Sequence, residues 1–294
     1  MRYGIIRLAA EEDLRSVKEL WRVCFTTDSA HLHLVFGKLY PLAVLFVFEG
    51  ADGILSSAFL IPVRYKNENE SIGGYYLYGV CTQKTARGEG LAKSVIEYAT
   101  DYAEKTGGGF VLTRPATGPL FGYYRELGFH VAVKRGMKTC SFPTVFPEHH
   151  TNVPTDEISA EELFRLRGKT FPNLFEWDER MLDIIRQAVL LSGGAILASD
   201  RIGRGRYMAV EADPQDDTNM LITESDIEDI ETCKENIARN AAGFTRSWQS
   251  LTFIFPSYYR NVSFDSIEDY ALLKPLNNIP ERIFKESFFN FAME

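Results

Sequence analysis

The sequence is poor in the features that mark secreted or metal-binding proteins. Its four cysteines, Cys24, Cys81, Cys140 and Cys233, are widely separated, with no CxxC pair and no histidine at metal-ligand spacing. Such scatter predicts isolated reduced thiols rather than a disulfide framework or a zinc site. We therefore expect no metal ion in this protein.

Long hydrophobic runs are also missing. The longest apolar stretch, from Leu42 to Phe48, is far shorter than the roughly 20 residues that a membrane-spanning helix needs. The start, Met1-Arg2-Tyr3-Gly4, runs into mixed polar sequence without the apolar segment of a secretory leader. The sequence thus predicts a cytoplasmic protein that does not bind membranes.

Positive charge is in deficit. The 32 Lys and Arg residues stand against 40 Asp and Glu residues, which gives a net charge of −8. This balance argues against a broad basic face, so nucleic acid is not a predicted partner. An acidic cleft concentrates cations, which makes a cationic small molecule a compatible acceptor. Assembly into a homo-oligomer stays open.

The chain does have enough apolar sequence for two domains. Its 294 residues, 45% of them hydrophobic, are long for one compact domain and comfortable for two. The segment from Pro143 to Pro154 contains three prolines and lacks periodicity, which is typical of a linker. We predict domains at 1–145 and 155–294.

Hydrophobic periodicity predicts a mixture of strands and helices in both halves, and hence an α/β protein with a mixed (α+β) sheet. In the first half we expect strands at 5–8, 44–48, 55–61, 75–80, 110–113, 129–134 and 137–142, helices from 11, at 92–103 and at 120–127, a loop at 26–38 and a turn at 66–74. In the second we expect helices at 160–167, 179–190 and 226–242, strands at 195–198, 206–211, 220–223, 251–255 and 270–273, and an aromatic tail at 283–293.

A strand, a glycine-bearing loop and an amphipathic helix form the central pattern. The loop reads Arg87-Gly88-Glu89-Gly90-Leu91-Ala92. The first amides of a helix lack internal partners and lie at the positive end of its dipole, so they bind anions. Glycines let the backbone approach a pyrophosphate closely, and Arg87 adds a cation. Other phosphate loops do not fit, because the chain has no GxxxxGK[ST] and Gly88-x-Gly90 lacks the third glycine of a dinucleotide fingerprint.

Two motifs together resemble the GCN5-related N-acetyltransferases (GNAT). The family's strand and loop look like V-x-T-x-P-x-x-R-G-x-G-x-A, and this chain reads Val80-Cys81-Thr82-Gln83-Lys84-Thr85-Ala86-Arg87-Gly88-Glu89-Gly90-Leu91-Ala92. Lys84 replaces the proline. The family's later signature, a tyrosine shortly before Gly-Phe, is present as Tyr124-Arg125-Glu126-Leu127-Gly128-Phe129 at the usual separation. The resemblance covers about residues 1–142.

This resemblance implies acetyl-CoA as co-substrate and assigns residues to it. The Val80–Thr82 strand, including Cys81, would hydrogen-bond the pantetheine arm through the backbone of Val80 and Thr82. Arg87 and the amides of Gly88 to Ala92 would hold the pyrophosphate. Tyr124 would protonate the departing thiolate, a task that suits a phenol close to the sulfur. The alternative for Tyr124 is a ring packed beneath the cofactor.

The general base is not readable from the sequence. Asp28, His31, His33 and Glu49 lie in segments that often line the acceptor cleft in this family. Each is also compatible with a solvated or structural role. A chain of water molecules is a further alternative.

The second half looks like a family member that has lost its cofactor site. Tyr258-Tyr259-Arg260, with Phe264, repeats the spacing of Tyr123-Tyr124-Arg125 with Phe129, which favours a duplicated fold. Instead of loop glycines, five carboxylates precede or begin the third helix of this half, where we expect them to act as helix starters: Glu224, Asp226, Glu228, Asp229 and Glu231. We expect one active site per chain and a degenerate GNAT-like second domain.

The tandem arrangement resembles the enhanced-intracellular-survival type of acetyltransferase, without its full sterol-carrier-like C-terminal domain. In that type the chain terminus reaches into the first domain's active site. The aromatic tail ending at Ala292-Met293-Glu294 would do the same, or would pack on its own domain or a partner subunit. The expected reaction is acetyl transfer to an amine of a small molecule. A peptide or protein amine acceptor and a non-catalytic acyl-CoA sensor are the alternatives.

Overall fold

The computed structural model describes residues 3–142, 158–199, 206–226, 229–240 and 248–290. Twelve strands are found in these ranges: β1 (Gly4–Leu8), β2 (Val44–Gly50), β3 (Gly53–Lys66), β4 (Ser71–Thr82), β5 (Phe110–Thr113), β6 (His130–Ser141), β7 (Leu174–Glu176), β8 (Ala195–Ser199), β9 (Arg206–Ala212), β10 (Asn219–Ser225), β11 (Ser250–Pro256) and β12 (Ser266–Pro275). Seven α-helices accompany them there: α1 (Leu14–Cys24), α2 (Ser29–His33), α3 (Leu91–Lys105), α4 (Gly118–Glu126), α5 (Ala160–Thr170), α6 (Glu179–Leu191) and α7 (Ile230–Asn240). None of these helices is long and apolar enough to cross a membrane.

The chain divides into two compact units. The first comprises Met1–Val133, Asn173–Trp177 and Tyr270–Glu294, and the second comprises Lys134–Pro172 and Asp178–Asp269. The predicted linker, Pro143 to Pro154, lies outside the described residues. The division into domains at 1–145 and 155–294 therefore stays a prediction.

The first unit is built on a mixed sheet in the order β1-β2-β3-β4-β5-β12, with β7 paired to β3. The pairs from β1 to β4 are antiparallel, β4 and β5 are parallel, and β12 is antiparallel to β5. Helix α3 connects the two parallel strands. It buries the apolar face that the sequence predicts against the sheet, through Val95, Ile96, Ala99 and Ala103.

The second unit repeats this order of elements. Strands β8, β9 and β10 form an antiparallel meander, α7 follows, and β11 then pairs parallel to β10. The same succession of three antiparallel strands, a helix and a parallel strand runs through β2, β3, β4, α3 and β5 in the first unit. Each unit takes a strand from the other half of the sequence, because β6 pairs with β11 and β12 pairs with β5.

Two glycines in predicted connections lie in strands, where they allow close packing. The predicted turn at 66–74 is shorter, since β4 begins at Ser71 and includes Gly74, where an added Cβ would lie 2.6 Å from the Phe110 ring. The strands predicted at 129–134 and 137–142 are one strand, β6. Its Gly136 lies under the Phe264 ring, where an added Cβ would lie 2.5 Å away.

The predicted loop at 26–38 is also wrong in part. It contains α2 and a π-helix, Leu34–Leu39, which buries four apolar side chains. Asp28 caps α2 by accepting a hydrogen bond from the Ala30 amide at 3.1 Å. Apolar burial thus orders a segment whose sequence suggested a polar connection.

The carboxylates near α7 do not all act as helix starters. Glu224 is fully buried in β10, where it accepts hydrogen bonds from Arg167 at 2.7 and 3.2 Å and from the Tyr207 hydroxyl. Asp226 accepts the Tyr207 amide at 2.8 Å. Glu228 lies outside the described residues. Of the five, Asp229 and Glu231 stand at the helix start, and the Asp229 carboxylate accepts the Thr232 amide at 2.8 Å.

The aromatic tail packs into the first unit as far as it is described. The Tyr65 hydroxyl donates to the Ile283 carbonyl at 2.7 Å, and Phe284 packs edge-on against the Tyr65 ring. Phe289 packs against Tyr76 of β4 at 5.3 Å between ring centroids. The terminal Ala292-Met293-Glu294, predicted either to reach the active site or to pack elsewhere, lies outside the described residues.

Candidate active site

Strand β4 carries a bulge at Gly79. Between Ser57 and Phe59 of β3 the register of the partner strand advances by an extra residue, from Cys81 to Tyr78. Gly79 has φ +62°, a conformation that L side chains rarely adopt. An added Cβ would lie 2.2 Å from the Trp21 ring of α1, so only glycine fits here. The sequence analysis missed this residue, although a glycine interrupting an aromatic strand is a known signal for a bulge.

Strands β4 and β5 separate after Tyr76 and Leu112. Their parallel pairing covers Tyr75 with Val111 and Tyr76 with Leu112, and β5 ends at Thr113. The Thr113 hydroxyl donates to the Leu77 carbonyl at 3.1 Å and closes the narrow end of the gap. The last residues of β4, through Thr82, continue past the end of β5. An extended ligand arm could add to this edge as a strand would.

A short 3-10 helix, Lys84–Ala86, follows β4, and the glycine loop leads from it into α3. Gly88 and Gly90 both have φ +82°, and an added Cβ at either position would meet open space. Gly90 is the N-cap of α3, and no side chain caps the helix there. The first turn of α3 contains no acidic residue. Its first amides are therefore left to bind an anion.

The α7 start provides the contrast inside the same chain. There the Asp229 carboxylate accepts a hydrogen bond from the amide of Thr232, and Glu231 adds a second negative charge in the first turn. Hydrogen bonds from the Thr232 hydroxyl and amide lower the pKa of Asp229, so it is ionised at neutral pH. An anionic ligand would be repelled from this helix start.

The sequence-predicted cofactor residues follow one another along the strand, loop and helix. Cys81 and Thr82 are buried and Val80 is half-buried. In the loop Arg87, Gly88 and Gly90 are exposed and Glu89 is half-buried, while Leu91 and Ala92 form the buried and half-buried start of α3.

Two side chains brace the end of β4. The Ser56 hydroxyl donates to the Cys81 carbonyl at 2.8 Å and lies 2.9 Å from the Thr82 hydroxyl. Arg87 Nε donates to the Thr82 carbonyl at 3.2 Å. In this structure the guanidinium thus links the predicted pantetheine strand to the predicted pyrophosphate loop.

Tyr124 lies in the core of the first unit, with 6% of its surface exposed. Burial raises the pKa of Tyr124 to about 12, while a hydrogen bond with Thr113 acts in the opposite direction. Tyr124 therefore stays protonated across the physiological pH range, at the narrow end of the β4–β5 gap. Thr113 carried no signal in the sequence.

The four candidate bases are not brought together. Glu49 accepts from Arg7 Nε at 2.9 Å across the β1–β2 pair, and Arg7 also pairs with Asp13. Asp28 caps α2. His31 is half-buried and His33 is exposed on the same short helix. The ion pair and the cap give Glu49 and Asp28 structural roles, so the identity of the base stays open.

No group of three or more His, Cys, Asp or Glu side chains suited to a metal ion occurs within the described ranges.

One family model matches the first part of the chain. The family model for an acetyltransferase (GNAT) domain matches residues 5–132. No curated protein sequence matches the chain. The matched range contains β4, the glycine loop, α3 and Tyr124, and it confirms the prediction of an acetyltransferase.

Solved structures share the fold over most of the chain. A probable N-acyltransferase from Enterococcus faecalis V583 is 15% identical, with a TM-score of 0.68 over 93% of this chain and 72% of that protein. A GCN5-related N-acetyltransferase from Kribbella flavida is 13% identical, with a TM-score of 0.66 over 93% and 72%. Eis1 from Mycobacterium abscessus is 11% identical, with a TM-score of 0.63 over 92% and 73%.

These similarities confirm the predicted fold, a mixed α/β GNAT fold whose neighbours include the enhanced-intracellular-survival type. At such identities the solved structures support the fold alone, and the family model supports the acetyltransferase activity. Residues 5–132 of this chain match the model of a GNAT acetyltransferase domain, and the chain shares the GNAT fold of these solved structures.

Proposed function

We propose that this protein transfers the acetyl group of acetyl-CoA to an amine of a small molecule, by direct attack of the amine on the thioester. The observation that carries the proposal is the uncapped start of α3. This helix follows β4, a strand that extends past the end of its neighbour β5. The loop amides and Arg87 would bind the diphosphate of the co-substrate. The free edge of β4 from Val80 to Thr82 would bind its pantetheine arm.

Tyr124 would act on the sulfur of the departing coenzyme A. Complete proton transfer from a phenol with a pKa of about 12 to a thiolate would be unfavourable, because the corresponding thiol has a pKa of about 8.5. Its contribution is therefore a hydrogen bond that strengthens as negative charge develops on the sulfur. The attacking amine supplies the proton that the product thiol finally carries, and water accepts it on the way.

The acceptor is the least constrained part of the proposal. The net charge of −8 favours a cationic amine, because acidic surroundings concentrate cations. The cytoplasmic location and any homo-oligomer stay predictions, as do the roles assigned to individual residues.

The acceptor class is tested by following thiol release from acetyl-CoA against aminoglycosides, polyamines, amino acids and peptides. We expect turnover with one of the small amines, and mass spectrometry of that product should show a single added acetyl group. Turnover with peptides alone would replace the small-molecule acceptor by a peptide or protein amine. Tight acetyl-CoA binding without turnover on any amine would favour a sensor.

The diphosphate site is tested by Gly90→Glu. An added carboxylate at the start of α3 should weaken coenzyme A binding at least about tenfold, measured by calorimetry, because it faces the diphosphate. Gly107→Glu is the matched control. Gly107 follows the other end of α3, has φ +85° against +82° for Gly90, and has equally open surroundings. Equal affinities of the two variants would contradict the loop assignment.

The role of Tyr124 is tested by Tyr124→Phe. We expect kcat to fall by about 100-fold, the lower end of the usual loss when one donor to the developing charge is removed, with coenzyme A affinity unchanged. The protonated phenol is the active form, and its pKa is raised to about 12. Titration of Tyr124 should therefore cause no loss of kcat below pH 10 in the parent enzyme. Tyr123→Phe, on the neighbouring half-buried ring, is the control. If Tyr124→Phe kept the parent turnover at all pH values, Tyr124 would be only a packing residue.

A further inference from the structure

The carbonyl of Thr82, the last residue of β4, faces the open side of the strand. The Gln83 amide donates to the Leu55 carbonyl at 2.8 Å, which makes these two residues a hydrogen-bonded pair of the antiparallel β3–β4 ladder. Hydrogen-bonded and non-hydrogen-bonded pairs alternate in such a ladder, so Ser56 and Thr82 form a pair of the second kind. The backbone groups of Thr82 therefore point away from β3. On that side the described pairing of β4 with β5 has already ended at Tyr76.

Two side chains of the protein occupy this carbonyl. Arg87 Nε donates to the Thr82 oxygen at 3.2 Å, and the Cys24 thiol at the end of α1 donates to the same oxygen at 3.6 Å. A terminal nitrogen of the guanidinium also lies 3.8 Å from the Cys24 sulfur. A carbonyl oxygen has two lone pairs, so both acceptor positions of Thr82 are in use.

The proposed binding of acetyl-CoA needs the same carbonyl and the same guanidinium. A ligand amide that pairs with Thr82 would stand about 2.9 Å from the carbonyl oxygen, which is the place that Arg87 Nε takes in this structure. The pantetheine arm and Arg87 therefore compete for one acceptor. Arg87 is exposed, so its side chain can leave the strand without disturbing the core. A diphosphate at the start of α3 gives the displaced guanidinium a new, charge-assisted partner.

We propose that Arg87 makes the enzyme selective for coenzyme A thioesters over pantetheine thioesters that lack the diphosphate. Both donors must displace the guanidinium from Thr82 to bind along β4. Coenzyme A replaces the lost hydrogen bond through its diphosphate, whereas a pantetheine thioester does not. Selectivity is a difference of two affinities, and here a contact inside the protein lowers one of them more than the other. This inference rests on the proposed function, because it uses the same strand edge and the same helix start.

Loss of Arg87 therefore acts on the two ligands with opposite sign. Coenzyme A loses a partner for its diphosphate and binds more weakly. Pantetheine loses a competitor for the Thr82 carbonyl and binds more tightly. If Arg87 served the diphosphate alone, pantetheine affinity would not respond to its loss. If Arg87 only supported the fold, both affinities would fall.

The test compares Arg87→Ala with the parent in the full-length chain, by calorimetry with coenzyme A and by competition of pantetheine against it. We expect the Kd of coenzyme A to rise about fivefold or more and the Kd of pantetheine to fall about threefold or more, since each change involves one hydrogen bond. Lys84→Ala is the matched control. Lys84 is an exposed cation in the same connection between β4 and α3, with no contact to the Thr82 carbonyl among the described residues. Its loss should leave pantetheine affinity at the parent value.

The outcomes separate this inference from the proposed function. Coenzyme A binding by the parent, together with unchanged, weaker or undetectable pantetheine binding by Arg87→Ala, would overturn the selection by Arg87 alone. An equal gain in pantetheine affinity in Lys84→Ala would contradict it too, because that variant keeps the contact at Thr82. Absence of coenzyme A binding by the parent would overturn both this inference and the proposed function.

Discussion

The candidate site depends on the parting of β4 from β5, and that parting depends on Gly79. The bulge at this residue requires a positive φ, and the Trp21 ring fills the space where any side chain would stand. The strand continues to Thr82 without β5 beside it, and the chain then turns through the loop into α3. A backbone edge and an uncapped helix start thus follow each other within a dozen residues. An extended ligand arm with a diphosphate at its end matches this order.

The second unit shows what the same succession of elements becomes without such a site. At the end of β10, Glu224 is fully buried against Arg167 and Tyr207, and Asp229 caps the following helix. The Tyr258 and Tyr259 rings keep the edge-on arrangement of Tyr123 and Tyr124, at 5.5 and 5.4 Å between centroids. The second pair stands in a turn rather than in a helix. The duplicated fold is recognisable. The second unit has internal ion pairs and a helix cap where the first unit has the positions that we propose for anion binding.

Local features of the site could be predicted from the sequence, and long-range ones could not. The loop from Arg87 to Ala92 and the helix after it depend on glycine positions and helical periodicity, which are local signals. The exchange of β6 and β12 between the two halves of the sequence depends on pairings of residues more than a hundred positions apart. The packing of Trp21 against Gly79, and the hydrogen bond from Thr113 to the Leu77 carbonyl, likewise depend on tertiary contacts that a linear pattern does not contain.

We propose that coenzyme A binds only to the edge of β4 and the start of α3. Hydrogen exchange with and without coenzyme A measures this directly, because bound amides exchange more slowly. Amides in 80–82 and 88–92 should become protected on binding, while those at the start of α7, in 230–234, should not change. Protection at the start of α7, or none in 88–92 at saturating coenzyme A, would contradict the account.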